Sequence, residues 1–322
     1  MFLSLRTRLV LAYFLFALLA VGIVTLGLGR AATLHLKDAT GTHLQELAYE
    51  MSDRLDRGMF ERHKDMQVLA QLDLMRDPTV GDDQRQLLVE ELQRTFTPYA
   101  WIGYVTPDGE VRASTGSLLE GANVSSREWF RRARQSAFVG DVHDAVLLAK
   151  LLPHEGSEPL RFVDVSTPVR DRQGRLVAVL GAHLSWSWAR EVQQGLLQPV
   201  HERRVDVLVL SRDHTVLLGP AELQGRKLAL DVLSRPGLLA HEVERWPDGT
   251  SYVTGVSVSQ GYRDYPGLGW TVVTREPAAD AFAVVYGFQR AALVAAFLVA
   301  LAFGVLGAWR AHAITLPLAR LT

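Results

Sequence analysis

AALVAAFLVALAFGVLGAW, residues 291–309, runs for 19 residues without a charge. At a rise of about 1.5 Å per residue it matches the roughly 30 Å hydrocarbon core of a bilayer, where a single segment can satisfy its own backbone only as a helix. A second run, LVLAYFLFALLAVGIVTLGLG at residues 9–29, is uncharged over 21 residues. Arg6 and Arg8 precede it as they would a secretory signal. Its apolar length exceeds the roughly 7–15 residues of a signal core, however, and Arg30 stands where a cleavage site needs small residues, so an uncleaved anchor is expected. The two spans bracket about 260 residues in which charges, turn glycines and aromatics are mixed as in a folded soluble lobe.

Lys and Arg near the membrane do not distinguish the two sides: Arg6 and Arg8 are balanced by Arg30 and Lys37, and Arg310 and Arg320 by Arg275 and Arg290. Long loops cross a membrane largely regardless of charge, and a short Arg-bearing N-terminus favours the inside. The expectation is a membrane protein with both termini cytoplasmic and the lobe outside. A formal net charge of −1 argues against a nucleic-acid partner. The absence of cysteine removes thiol catalysis, Cys-based zinc sites and disulfides together.

Taken in order, a cytoplasmic tail (1–8) and the first span (9–29) lead into Leu44, Leu47, Met51, Leu55, Met59, Met66 and Leu69. Steps of mostly three or four predict one long amphipathic helix over 30–76, ended near Asp77-Pro78. DDQRQLLVEELQRTF (82–96) predicts a second helix. AWIGYVT, the turn Pro107-Asp108-Gly109 and EVRAST predict a hairpin. A short helix over Ser126 to Ala133 is followed by the strands RFVDVSTPV and RLVAVLGAHL around a turn at 170–174.

The same order then recurs. SWSWAREVQQGLL predicts a helix, VDVLVLS and TVLLG a hairpin, an irregular stretch reaches Trp246, and SYVTGVSVS and GWTVVTREP are two more strands. The hairpin strands IGYVT and VLVLS begin at Ile102 and Val207, and recurrence on this scale predicts two tandem copies of one α+β unit. The expected boundaries are 77–184 for the membrane-distal unit, 185–277 for the proximal one, 286–309 for the second span and 310–322 beyond it. Within that span Ala292, Ala296, Ala300, Gly304 and Ala308 fall at an unbroken step of four, the spacing of a close-packing face.

This layout, with Arg127-Glu128-Trp129-Phe130, Thr167-Pro168-Val169, Val179-Leu180-Gly181 and the run Tyr265 to Val273, resembles the double Cache sensor domains of bacterial transmembrane receptors. Ile314 to Thr322 is similar to the opening of a HAMP relay helix. The resemblance implies two PAS-like antiparallel sheets on a long helix. It also implies a small-molecule ligand in the distal unit, a homodimer through the transmembrane and long helices, and an output such as a kinase, cyclase or chemotaxis module that these residues do not contain.

For the amino-acid-binding branch the resemblance implies that Arg127 takes a ligand carboxylate beside Trp129 and Phe130. Val142-His143-Asp144 stands where that branch has Tyr-x-Asp, His183 occupies its strand-end aspartate position, and Ala122 and Phe130 replace tyrosines, so the carboxylate half of the pattern is kept and the amine half is not. The ligand expected is therefore a small organic anion or amino-acid-like solute. A bidentate guanidinium fork with an aromatic wall suits its carboxylate.

His154-Glu155, His201-Glu202 and His241-Glu242 each lack a second histidine four residues after the first, so no metal site is expected from spacing. No cofactor is expected. Nucleophile-elbow, Walker and kinase motifs are absent, so no catalysis is expected in these residues. The alternative from another class is a membrane-anchored scaffold whose outer lobe binds a protein.

Overall fold

A computed structural model describes residues 5–144, 148, 151–152, 160–235, 237 and 239–318. The helices are α1 (Leu5–Gln71), α2 (Asp73–Arg76), α3 (Asp82–Thr95), α4 (Glu128–Ala133), α5 (Ser187–Leu197), α6 (Ala278–Ala281) and α7 (Ala283–Leu318). The strands are β1 (Tyr99–Val105), β2 (Val111–Ser114), β3 (Phe138–Val139), β4 (His143–Asp144), β5 (Arg161–Arg170), β6 (Leu176–Ser185), β7 (Asp206–Leu210), β8 (Val216–Leu218), β9 (Leu239–Arg245), β10 (Ser251–Val258) and β11 (Thr271–Pro277). They build an α+β fold with two antiparallel sheets, ordered β2-β1-β6-β5-β3 with β4 also on β5, and β8-β7-β11-β10-β9.

The chain forms two compact units, one of residues 44–242 and 254–275, the other of 1–43, 243–253 and 276–322. In the larger unit, Leu44, Met51, Leu55, Met59 and Met66 of α1 are all buried, as their helical spacing requires. Thr274 Oγ1 of β11 donates to Leu44 O at 2.6 Å. Asp56, also buried, accepts from Ser259 Oγ at 2.7 Å and from Gly261 N at 3.0 Å, which fixes the helix to the loop before β11. Gly58 and Gly255 carry no side chain because Trp188 and the backbone of Leu44 and Gln45 occupy the space a Cβ would take.

The first sheet is set by its registers. β5 and β6 pair with Asp164 opposite His183, and β1 and β6 pair with Trp101 opposite His183. Directly opposed residues in antiparallel strands share a face, so Trp101, His183 and Asp164 form one row across three strands. The Asp171 turn closes the β5–β6 hairpin through carboxylate bonds to Gln173 N and Arg175 N, both 2.9 Å, with Gly174 at φ 81°. On α3, Asp82 and Asp83 lie in the first turn, where the helix dipole favours them.

In the smaller unit the step-of-four stripe of α7 is used. Ala296 and Ala300 are buried, whereas Leu293, Val294, Phe297, Leu298 and Val299 around them are exposed. A Cβ on Gly304 would lie 3.5 Å from Phe14 Cδ2, and one on Gly307 would lie 3.9 Å from Val10 Cγ2. The small-residue face therefore seats the first span of the same chain. Both α1 and α7 contain stretches long and apolar enough to cross a membrane.

α1 runs unbroken from the first span into the amphipathic region, as a helix continuing out of the membrane does. One element departs from the sequence reading. The stretch expected to be irregular before Trp246 contains the edge strand β9, LAHEVER, whose half-buried alternation of charged and apolar residues lacks the apolar run that marked its neighbours. The expected relay residues 319–322, together with His154 and Glu155, lie outside the described residues.

Candidate functional site

A cavity of about 560 Å³ lies on the face of the first sheet covered by α4. Its floor is aromatic because glycine allows it. Gly103 and Gly181 face each other on β1 and β6, and a methyl group on either would collide with the ring of Trp101 or Trp129 respectively. The His183 ring lies at 31° to both Trp101 and Phe162, with centroids 5.2 and 5.7 Å away, and Trp129 meets it edge-on at 5.9 Å. Trp101 Nε1 is satisfied by Leu118 O at 3.0 Å, so this indole is a fixed wall.

The polar groups come from four elements. His183 Nδ1 lies 2.6 Å from Asp164 Oδ1, and His143 Nε2 of β4 lies 3.6 Å from the same oxygen. His143 Nδ1 is 3.2 Å from Asp141 O, where the ring donates to the carbonyl. Asp141 Oδ1 accepts from Val142 N and from Trp270 Nε1, both at 2.7 Å. Asp144 pairs with Arg161 at 3.3 Å. Arg127 and Glu128 stand exposed at the start of α4, and among the described residues the Arg127 guanidinium has no hydrogen bond or ion pair.

Of the residues singled out in the sequence, Arg127, Trp129, His143, Asp144 and His183 line this cavity. Phe130 does not. One residue further along α4 it turns into the core beside Val105, Ala133 and Val179 and is 1% exposed. Sequence reasoning missed Asp164 and Asp141. Asp164 sits in the apolar strand RFVDVSTPV, where a lone carboxylate among apolar residues was the signal available; in the fold it is 8% exposed. The histidines and Asp164 belong to three strands, so no spacing rule could join them.

Beyond the rim, Tyr265 is buried, and burial, with Asp56 and Asp141 nearby, pushes its phenol up. Trp270 packs against Trp186 at 5.1 Å, and Trp186 Nε1 donates to Leu217 O at 3.1 Å.

A long helix and two antiparallel PAS-like sheets make up the double Cache fold. No protein-family model matches the sequence, and no curated protein matches it. Solved structures do. The ligand-binding domain of the Pseudomonas aeruginosa PAO1 amino-acid chemoreceptor PctC, in complex with GABA, superposes with TM-score 0.57 at 17% identity, over 74% of this chain and 99% of that one. The same organism's PctB domain with L-Arg gives 0.55 at 18% identity over 76% and 98%. An extracellular ligand-binding receptor from Desulfohalobium retbaense gives 0.56 at 14% over 73% of this chain, which spans only 40% of that receptor.

Proposed function

We propose that this chain is the sensory input of a bacterial membrane receptor, and that its distal cavity binds a small solute carrying both a carboxylate and an amine. The charge balance of the cavity carries this reading. One guanidinium, Arg127, faces a wall that also holds Glu128, Asp141, Asp144 and Asp164, of which Asp144 is partly offset by Arg161. A plain organic anion would meet more carboxylates than cations on this wall, even with Asp164 hydrogen-bonded to His183 and Asp141 to Trp270, whereas a zwitterion uses both signs. In this reading Arg127 holds the carboxylate bidentately and the acidic groups hold the amine. The volume lies within the 300–1,000 Å³ typical of small-ligand sites.

Signalling in this reading needs the ligand to favour one of two states. The hydrogen bond from Trp270 to Asp141 and the succession of β11, α6 and α7 along the chain supply a connected route to the second span. In this reading the termini are cytoplasmic, the lobe is periplasmic, and two chains pair through surfaces of the spans and α1. The module binds rather than catalyses.

The test is calorimetry and thermal shift on the full chain in detergent with amino acids, γ-aminobutyrate, dicarboxylates and polyamines. Zwitterions should bind, and Arg127→Ala should weaken them at least about tenfold, the equivalent of one charged hydrogen bond. Binding of dicarboxylates alone, or affinity indifferent to Arg127→Ala, would overturn the reading. A scaffold that docks a protein is the rival, and a cavity with exposed polar groups at its mouth weighs against it.

A further inference from the structure

His143, Asp164 and His183 present three ligand atoms within 4.8 Å of one another at the floor of the cavity. The geometry points to a site for a divalent transition metal of the zinc class. It rests on the reading of this cavity as the sensory site, and it adds to that reading a second kind of ligand.

The donor set is two imidazoles and one carboxylate, which suits zinc, cobalt or nickel and not the all-oxygen shells of calcium or magnesium. A tetrahedral ion with bonds of about 2.0–2.1 Å holds its ligand atoms about 3.3 Å apart. The His183–Asp164 and His143–Asp164 separations of 2.6 and 3.6 Å bracket that value, so small rotations seat the ion.

The surroundings orient the donors. Donation from His143 Nδ1 to Asp141 O leaves Nε2 with its lone pair towards Asp164, the outer-shell arrangement that metal-bound histidines use. His183 is clamped between Trp101 and Phe162, so its ring plane is set before any ion arrives. Coordination through His183 Nδ1 moves its proton to Nε2, and no net proton is lost.

Three protein ligands leave a fourth position on the cavity side, as open zinc sites do. An amine or carboxylate of a solute could take it while Arg127 holds the other end. The cavity would then read a solute and a metal together, each raising affinity for the other by the same factor.

The experiment titrates the chelator-treated full chain in detergent with Co²⁺, following the visible bands of four-coordinate cobalt, and then displaces it with Zn²⁺. The expected result is one ion per chain, with affinity reduced at least about tenfold in His143→Ala. His143 is exposed, so this variant keeps the fold; Asp164→Asn, isosteric and less donating, is the second. Absence of cobalt bands, or binding unchanged in His143→Ala, overturns the inference. Solute binding to metal-free protein, measured in parallel, separates the two readings. If solutes bind and cobalt does not, the metal site fails alone; if cobalt binds and no solute does, the zwitterion reading fails alone.

Discussion

Trp270 Nε1 donates to Asp141 Oδ1 at 2.7 Å, joining the residue immediately before β11 to the rim of the cavity on the first sheet. The indole is 1% exposed, so its donor has no access to water in place of that carboxylate. Asp141→Ala strips the buried N–H of its acceptor and is expected to cost about 1.5–3 kcal/mol in denaturant unfolding. Asp141→Asn, which keeps an acceptor oxygen, should cost less. Equal stability of Asp141→Ala and the parent would show that the contact does not hold.

The cavity floor gives a steric prediction. Gly181→Ala places a methyl group against the Trp129 ring and should destabilise by about 1–3 kcal/mol through overpacking, with a shift in tryptophan emission. Gly195, an exposed glycine inside α5 with open space around its Cα, is the opposite case. Gly195→Ala should stabilise by about 0.5–1 kcal/mol, read in the same unfolding assay.

Asp56 sets the sign of an acid-range pH dependence. Burial pushes its carboxyl above the ordinary 3.8, against the lowering effect of the bonds from Ser259 and Gly261. The folded state therefore holds this proton more tightly than the unfolded one. The corresponding stability is complete below 3.8 and is lost as pH rises from there through the raised value. His63, whose burial lowers it below 6.5 with Lys64 adding to the effect, acts in the other direction: its contribution is present above 6.5 and fades as pH falls. Melting temperature against pH should show the Asp56 component disappear in Asp56→Asn and the His63 component disappear in His63→Gln.

The contact between the spans can be trapped. The chain has no cysteine, and a Cβ on Gly304 would lie 3.9 Å from Phe14 Cβ, within the range a disulfide spans. A Phe14→Cys, Gly304→Cys pair should oxidise within one chain and migrate as a monomer on non-reducing gels. Cross-linked dimers without the internal bridge would mean that the stripe seats a second copy instead.

Much of this fold could be read from the letters because its elements carry their own periodicity. Leu44 to Leu69 at helical spacing and the Gly174 and Gly109 turns between apolar runs fix elements without any knowledge of their partners. β9 was hidden because LAHEVER has the composition of a solvated edge. At the site, Arg127 and Trp129 were legible as neighbours on one short helix. Asp164 was not, since its partnership with His183 exists only in the register of β5 against β6. Phe130, expected beside the ligand, is not among the cavity-lining residues, because adjacent helical residues point about 100° apart and Trp129 takes the cavity side.

The Ala/Gly stripe of α7 has a mechanical corollary. Seats repeated every four residues lie about 6 Å apart along a helix axis, so the two spans can slide past each other only from notch to notch. A push of an ångström or two unseats Phe14 from Gly304 without reaching the next notch, and the expected behaviour is that of a spring with detents: small strokes recoil when the load is released.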